Sequence, residues 1–275
     1  MVKKVLITGN SGYIGSHLSK MLFNDYEIHG LDLIEPQSLV HQQYLCDIRK
    51  PFDLETEFDA VIHLAALVNV GESEQQPINY YISNLTGTMN VINRINTKNF
   101  IFASTGAAEK CYSPYGISKR AAEDVVREYC TVHRPIPYTT FRFYNVIGSD
   151  GYDPTNHDGL MFNLLKAPMT GEFTIHGKDY EQSWDGTCVR DYVHVNEICT
   201  ALKDAIETPA NNVECLGHGV GYTVKEIVDM FQRVNNLDFE VKYGPRRKGD
   251  LPSSVLEDVS PYMKNLYTLE ELLKI

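Results

Sequence analysis

The sequence predicts an α/β protein with a doubly wound parallel sheet in its first half and a smaller mixed α/β lobe in its C-terminal half. Three observations support this prediction. Strand-like and helix-like patterns alternate regularly up to residue 145. The run 59–66 is almost continuously apolar, as in a strand that is buried on both faces of a parallel sheet. Beyond residue 145, a polar loop and two helix-capping signals replace the regular alternation.

The first half of the chain contains the elements of the predicted sheet. A β-branched run at 4–8 is the first strand, and the helical spacing of apolar residues at 14–23 predicts the helix that follows it. The further strand predictions are 26–33, 43–46, 59–66, 100–103 and 138–143, and the further helix predictions are 78–95 and 115–130. Strands that alternate with helices in this way predict βαβ units and parallel pairing.

The second half is predicted to form a separate lobe. A loop rich in Gly, Asp, Asn and Pro covers 148–159, and it is followed by a helix near 160–166, a strand at 173–176 and a helix at 196–207. Thr223 and Thr268 each begin a T-x-x-E pattern, which predicts the start of a helix. We therefore expect one domain over residues 1–147 and a smaller lobe over residues 148–275, with a soft boundary and some later segments returning to the sheet.

Composition and charge exclude several classes of protein. The formal net charge of the 275-residue chain is −11, whereas a nucleic-acid partner requires a basic surface. The longest apolar stretch, 60–70, is too short to cross a membrane, and no signal peptide is recognisable. The six cysteines form neither a C-x-x-C pair nor a cluster with histidine. We expect no metal site, no membrane partner, reduced thiols and a cytoplasmic location.

A glycine-rich turn links the first predicted strand to the first predicted helix. Gly9, Gly12 and Gly15 form a G-x-x-G-x-x-G pattern that includes Tyr13 and Ile14. Glycine allows the backbone to turn tightly and to approach a pyrophosphate, and the N-terminus of a helix offers N–H groups and the positive end of its dipole. This context predicts a Rossmann-type seat for a dinucleotide.

Acidic residues follow the second and third predicted strands. Asp32 ends the second strand, 17 residues after Gly15. A carboxylate at this place accepts hydrogen bonds from ribose hydroxyls and repels a 2′-phosphate, which favours NAD over NADP. Asp47 and Ile48 follow the short third strand, where an acid can face the adenine amine.

A tyrosine and a lysine lie one helical turn apart at the start of the helix predicted over 115–130. Tyr115 and Lys119 share a helix face. A free phenol has a pKa near ~10, but a nearby ammonium and the positive charge of an oxidised nicotinamide both favour the phenolate. The pair therefore predicts a general base beside a hydride acceptor. Ser104 and Thr105 end the preceding strand, where a hydroxyl either shares the proton of a substrate or caps a turn.

Further motifs extend along nearly the whole chain. They are T-G-N-S-G-Y-I-G-S-H at 8–17, A-A at 65–66, V-G-E-S at 70–73, N-L-T-G-T at 84–88, S-P-Y-G-I-S-K at 113–119, R-F-Y-N at 142–145, D-G-T-C-V-R-D-Y-V-H-V at 185–195 and P-R-R-K-G-D-L-P at 245–252. With these motifs the sequence resembles the extended short-chain dehydrogenase/reductases and, within them, the UDP-galactose 4-epimerases. The G-E-S, D-G-T and P-R-R segments are more specific than the glycine run.

The resemblance implies an enzyme that inverts C4 of a UDP-hexose through a 4-keto intermediate while NAD stays bound. UDP-galactose and UDP-glucose are the implied substrates. The catalytic residues are then Thr105, Tyr115 and Lys119, and Ala65 and Asn84 join the cofactor-binding residues together with Tyr115 and Lys119. The helices predicted at 78–95 and 115–130 match those with which relatives form a homodimer. In these terms residues 1–147 bind NAD and residues 148–275 bind the substrate.

The resemblance also assigns residues to the UDP-sugar substrate. Asn145, Arg190, Arg247 and Asp250 match the family's contacts with uridine diphosphate. Arginine suits this role because its planar guanidinium pairs with diphosphate oxygens. Ser254 stands where relatives form the pocket wall near the sugar 2-position, and its small side chain suggests that N-acetylated sugars are also accepted.

Departures from the family pattern leave two other functions open. Only nine residues separate Thr105 from Tyr115, so the loop that borders the active site is shortened. A nucleotide-sugar 4,6-dehydratase is one alternative, but relatives with that activity carry Asp-Glu directly after the threonine, and this chain has Gly106 and Ala107. A non-catalytic NAD-binding sensor is the other alternative. Such proteins usually lose the tyrosine or the lysine, and this chain keeps both.

Overall fold

The computed structural model describes residues 2–149, 151–152, 154, 157, 159–247, 250–264 and 266–275. Its strands are β1 (Lys4–Thr8), β2 (Glu27–Asp32), β3 (Gln42–Leu45), β4 (Glu57–Phe58), β5 (Ala60–His63), β6 (Asn96–Thr97), β7 (Phe100–Thr105), β8 (Tyr138–Phe143), β9 (Asn145–Ile147), β10 (Glu172–His176), β11 (Val189–His194), β12 (Asn211–Leu216), β13 (Gly221–Thr223), β14 (Glu240–Gly244) and β15 (Ser253–Ser254). Part of the predicted loop at 148–159, and Lys248 and Gly249 of the P-R-R-K-G-D motif, lie outside the described residues.

The helices alternate with these strands. They are α1 (Tyr13–Leu22), α2 (Val70–Gln75), α3 (Pro77–Tyr80), α4 (Gly87–Arg94), α5 (Ala107–Lys110), α6 (Pro114–Glu128), α7 (Leu160–Thr170), α8 (Val195–Glu207), α9 (Val224–Asn235) and α10 (Leu269–Leu273). Two π-helical segments, Tyr81–Thr86 and Tyr129–His133, continue α3 and α6. No helix of the described chain has the length and apolar content needed to span a bilayer.

The main sheet has seven strands in the order β12-β8-β7-β5-β1-β2-β3. All neighbouring pairs from β3 to β8 are parallel. The chain adds strands first on one side of β1 and then on the other, which is the doubly wound arrangement. The predicted fold class is therefore confirmed. In such a sheet, ligands bind at the carboxyl ends of the strands.

The central strands are buried on both faces. Val5, Leu6 and Ile7 of β1 are completely buried, and all four residues of β5 are buried. Leu6 of β1 and Val61 of β5 belong to one hydrophobic cluster with side chains of α4 and α6, such as Val91 and Val126. This packing explains why β5 has a continuous apolar sequence rather than the alternating pattern of a strand with one exposed face.

The helix predicted over 78–95 contains an irregular stretch. Its middle part, Tyr81–Thr86, has π-helical geometry, in which hydrogen bonds join residues five apart. The extra residue in this turn changes the direction of the side chains, and Asn84 is fully buried within it. Hydrophobic periodicity predicts the helix but does not reveal this local change.

Contacts divide the chain into two units, one of residues 1–143 with 199–214 and the other of residues 144–198 with 215–275. The first division falls at residues 143 and 144 rather than at the expected 147 and 148. Residues 199–214 join the first unit because the chain returns to the sheet there, where β12 is an edge strand.

The second unit has a core and a small sheet of its own. β11 pairs in parallel with β9 and β15 and antiparallel with β13. The core includes Phe231 of α9, Tyr192 of β11 and Leu272 of α10. Both predicted capping boxes are confirmed, because the hydroxyls of Thr223 and Thr268 accept hydrogen bonds from the third residue of α9 and α10.

Candidate functional site

The glycine-rich turn after β1 is closely packed. Gly9 has a φ of +74°, and a Cβ at this position would lie 2.7 Å from the backbone nitrogen of Ala65. A Cβ at Gly15 would lie 2.2 Å from the carbonyl oxygen of Gly9. Both distances are far below van der Waals contact, and the neighbouring atoms belong to the backbone. Glycine is therefore required at both positions by the geometry of the turn itself.

The first turn of α1 fits an anionic ligand. Gly12 is the N-cap residue and supplies no side-chain cap to the helix. Tyr13 and Ile14 are the first helical residues, and N–H groups at this end of a helix have no acceptor within the helix. Such N–H groups, together with the helix dipole, suit the pyrophosphate of a dinucleotide.

Asp32 lies at the carboxyl end of β2, beside the glycine turn. Its Oδ2 accepts a hydrogen bond from the backbone N–H of Ser11 at 3.0 Å, and its Oδ1 accepts one from Leu33 at 2.7 Å. These two bonds hold the carboxylate at the edge of the turn, where it remains half-buried. The position agrees with the ribose-binding role that the sequence predicts for this residue.

Asp47 and Ile48 follow β3. Arg49 forms a two-point ion pair with Asp47, with N–O distances of 2.8 and 2.9 Å, and this guanidinium lowers the pKa of Asp47. Ile48 is buried and packs closely against Gly87, where a Cβ would lie 2.7 Å from Ile48 Cδ1. The structure shows ion pairing and packing at these positions, and their contact with the cofactor stays a prediction.

Ala65 lies in the segment that follows β5, and Asn84 is hydrogen-bonded to the same segment. The N–H of Ala65 donates to the hydroxyl of Thr8 at 3.3 Å. The amide of Asn84 forms two hydrogen bonds with the backbone of Leu67, at 2.8 and 2.9 Å, and its Nδ2 also donates to Ser118 Oγ at 3.1 Å. Asn84 thus joins the segment after β5 to α6, the helix that carries the predicted catalytic pair.

The predicted catalytic side chains meet at the start of α6. Ser113 caps this helix by accepting a hydrogen bond from Gly116 N at 3.2 Å. Tyr115 and Lys119 follow on one face and are 9% and 3% exposed. The side chain of Thr105, at the carboxyl end of β7, is near enough to Tyr115 to lower the pKa of its phenol. The structure therefore brings together all three residues that the sequence predicts to be catalytic.

Burial strongly influences the protonation of Tyr115 and Lys119. Burial raises the pKa of Tyr115, and the nearby side chain of Thr105 opposes this rise. Burial lowers the pKa of Lys119 to about 7, although Glu123 opposes the shift. Burial disfavours the charged form of each group. An anionic Tyr115 therefore depends on a nearby positive charge, and Lys119 is the side chain that the sequence predicts to supply it.

Arg190 and Asp250 are neighbours in the second unit. Arg190 Nη2 lies 3.7 Å from Asp250 Oδ1, so the two predicted diphosphate-binding residues form an ion pair in this structure. Arg247 is exposed, and its carbonyl oxygen accepts a hydrogen bond from Asp250 N at 3.3 Å. Asp250 therefore contacts both predicted arginines, Arg190 through its carboxylate and Arg247 through the backbone.

The other predicted substrate residues lie around β11. Ser254 pairs in register with Arg190 across β15 and β11, and Asn145 Nδ2 donates to the carbonyl of Asp191 at 2.8 Å. The buried carboxylate of Asp191 accepts hydrogen bonds from three backbone N–H groups, including those of His218 at 2.7 Å and Leu256 at 3.2 Å. Within this unit, Asp191 therefore ties together the segments that carry Arg190, Asn145 and Ser254.

The sequence analysis assigned no role to two charged residues, one on the catalytic helix and one on the strand beside it. Glu123 on α6 and Arg142 on β8 form a buried ion pair at 2.7 Å. The sequence contains an indication of each residue. Glu123 lies four residues after Lys119, on the same helix face, and Arg142 is the one charged residue in the predicted strand 138–143. No cluster of three or more potential metal ligands occurs among the described residues.

The fold and these residues define a member of a known enzyme family. The chain belongs to the NAD dependent epimerase/dehydratase family, whose sequence profile matches residues 5–215. This match confirms the predicted family, and NAD is the cofactor that the sequence predicts.

Individual relatives are more specific. The chain is 33% identical to a UDP-glucose 4-epimerase of Lactobacillus helveticus over 93% of this chain and 88% of that protein. It is 31% identical to a putative UDP-arabinose 4-epimerase of Arabidopsis thaliana over 96% of this chain and 72% of that protein. These comparisons confirm the resemblance to 4-epimerases of UDP-sugars.

Solved structures show the same fold. A UDP-glucose 4-epimerase from Bifidobacterium longum in complex with NAD+ and UDP aligns with a TM-score of 0.85 and 26% identity, covering 98% of this chain and 96% of that one. A UDP-Glc/GlcNAc 4-epimerase from Campylobacter jejuni aligns with a TM-score of 0.77 and 28% identity, covering 99% and 97%.

Proposed function

We propose that this chain inverts C4 of a UDP-hexose, such as UDP-galactose or UDP-glucose, through a 4-keto intermediate. The observation that carries the proposal is the group of Thr105, Tyr115 and Lys119 at the carboxyl end of β7. A phenol, an ammonium and a hydroxyl lie there in a buried setting, at the same edge of the sheet as the glycine turn that suits a dinucleotide. Bound NAD supplies the acceptor and then the donor of the C4 hydride.

Tyr115 moves the proton in this mechanism. Its phenolate takes the proton of the sugar O4 while the C4–H bond breaks, and its phenol returns the proton when the 4-keto group is reduced from the opposite face. Lys119 stabilises the phenolate through its positive charge. Thr105, which lowers the pKa of Tyr115, shares the proton and holds the hydroxyl in line.

The uridine diphosphate is assigned to residues of the second unit. We propose that Arg190 and Arg247 bind the diphosphate oxygens, because guanidinium groups pair with such oxygens in two-point geometry. Asp250 and Asn145 then bind the nucleoside part or orient the arginines. The small side chain of Ser254, in register with Arg190, supports the acceptance of N-acetylated sugars as well as plain hexoses.

We also propose that the chain acts as a homodimer. Ile78, Ile82 and Met89, on the continuous helix from α3 to α4, and Ile117 on α6 are all exposed large apolar side chains. Exposed apolar groups on two neighbouring helices are typical of a surface that pairs with its own copy. A cytoplasmic location is part of the proposal, and it is supported by six cysteines that are all free thiols.

The direct test is turnover of defined UDP-sugars. Purified protein is incubated without added cofactor with UDP-glucose, UDP-galactose and their N-acetyl forms, and the products are resolved by NMR. We expect interconversion of each pair of C4 epimers. A 4-keto-6-deoxy product would instead indicate a 4,6-dehydratase, and bound NAD without any conversion would indicate a non-catalytic sensor.

A further inference from the structure

A buried carboxylate lies on the catalytic helix, one turn beyond Lys119. Glu123 is 5% exposed, and its Oε1 accepts hydrogen bonds from Arg142 Nε at 2.9 Å and from Ser104 Oγ at 2.5 Å. Its Oε2 accepts a second bond from Arg142, at 2.7 Å. A buried carboxylate with a two-point arginine and a hydroxyl as partners is held in one orientation.

The residues that clamp Glu123 belong to the strands beneath the site. Ser104 and Arg142 are direct partners in the parallel register of β7 and β8, and Ser104 immediately precedes Thr105. The clamp thus ties α6 to the strand end that presents Thr105.

The shortened loop between Thr105 and α6 joins the same network. Glu109 of α5 accepts a hydrogen bond from Arg142 Nη1 at 3.3 Å. The N–H of Ala107 donates to Thr105 Oγ1 at 3.2 Å, and a Cβ at Gly116 would lie 2.5 Å from the carbonyl oxygen of Ala107. Arg142 therefore holds both the catalytic helix and the short helix that packs on its first turn.

Uncharged groups of the described residues lie beside Lys119, so a negative partner would stabilise its ammonium. Its ammonium lies 4.3 Å from the centre of the Phe102 ring. His63 of β5 also faces it, and burial keeps this histidine neutral at pH 7 by lowering its pKa to about 3. Tyr115 is on the same helix face. Glu123 is the carboxylate that raises the pKa of Lys119 against the effect of burial.

We propose that Glu123 is a positioning residue for the reaction: clamped by Arg142 and Ser104, it holds Lys119 in its ammonium form and fixes the catalytic helix against the end of β7. This inference rests on the proposed function for its catalytic consequence. Its electrostatic part concerns Lys119 alone and can be measured without turnover.

The first test is the titration of Lys119 in protein labelled with ¹³Cε-lysine. The Lys119 resonance is assigned by its loss in Lys119→Arg, and its midpoint is followed by NMR in wild type and in Glu123→Gln. Removal of a nearby opposite charge destabilises the ammonium, so the midpoint should fall by about one pH unit or more. The matched control is Glu128→Gln, the same change on an exposed position of the same helix segment, and it should leave the midpoint unchanged.

The second test is the pH dependence of epimerisation. Because the ammonium form supports the phenolate, kcat should decline on the alkaline side, and in Glu123→Gln this decline should begin at lower pH by the same interval. KM should change less than threefold. A residue that served only folding would lower the yield of folded enzyme but leave both the midpoint and the pH profile in place.

Glu123→Gln leaves the guanidinium of Arg142 without its main partner, and this unpaired charge can prevent folding. The double variant Glu123→Gln/Arg142→Met removes the unpaired charge and serves as a second test. It removes one negative and one positive charge, so its Lys119 midpoint should fall by less than in Glu123→Gln but still lie below that of wild type, because Glu123 is the partner on the helix face of Lys119. An unchanged midpoint in either folded variant overturns the inference. A shifted midpoint in a protein that converts no UDP-sugar would instead refute the proposed function while the role of Glu123 toward Lys119 stands.

Discussion

Replacement of Tyr115 by phenylalanine tests the assignment of the proton-transfer group. The ring of Tyr115 is buried and lies edge-on to Tyr80, with 6.3 Å between the ring centres. Phenylalanine keeps this packing and removes only the hydroxyl. The free energy of unfolding should fall by no more than about 1 kcal/mol, the usual net value of one hydrogen bond. NAD and UDP-sugar should still bind.

The loss in rate should be much larger than the loss in stability. A general acid–base group contributes about 10²–10⁴-fold, which corresponds to about 2.7–5.4 kcal/mol of activation free energy. The measurement is kcat for UDP-galactose, with bound NAD determined by mass spectrometry and unfolding followed by heat.

The control for this change is Tyr80→Phe. The hydroxyl of Tyr80 donates to Glu72 Oε2 at 2.8 Å and accepts from Asn69 N at 3.1 Å, so its removal should lower stability while kcat stays within tenfold. The reasoning is refuted if Tyr115→Phe turns over within threefold of wild type, or if Tyr80→Phe loses as much activity.

Four further changes test the other assignments. Asp32→Ala should weaken retention of NAD and its preference over NADP, and wild-type protein that released stoichiometric NADP on denaturation would contradict this role. Gly15→Ala should abolish NAD binding, measured by fluorescence of NADH, because its Cβ would meet the Gly9 carbonyl at 2.2 Å. Ile82→Glu should convert a dimer into a monomer in light scattering, and a monomeric wild type would count against the interface. Ser254→Tyr should reduce kcat/KM for UDP-N-acetylgalactosamine relative to UDP-galactose by roughly tenfold or more, since overpacking a buried site costs about 1–3 kcal/mol; an unchanged ratio would show that this residue does not limit the size of the sugar.

Much of the fold follows from local sequence patterns. The apolar run at 59–66 predicts a strand buried on both faces, and β5 is that strand. The T-x-x-E patterns predict the starts of α9 and α10, because a capping box depends only on residues three apart. The glycine turn is predicted for the same reason, since its tight backbone depends on a few consecutive residues.

The spacing of Tyr115 and Lys119 likewise determines that they share a helix face. That Thr105 would reach Tyr115 follows from the order of strand and helix together with the family resemblance. The sequence by itself thus determined the fold class, the family and the predicted catalytic group, all of which depend on short spacings or on whole motifs.

Only the tertiary structure decided how distant polar residues pair. The partnership of Glu123 with Arg142 joins residues 19 apart on a helix and a strand, and no periodicity specifies it. Asn84 matches a family motif for the cofactor, but a π-helical turn directs its amide to Leu67 and Ser118. The physical reason is that hydrophobic patterns report which face of an element is buried, whereas the partner of a buried polar group depends on which elements meet there.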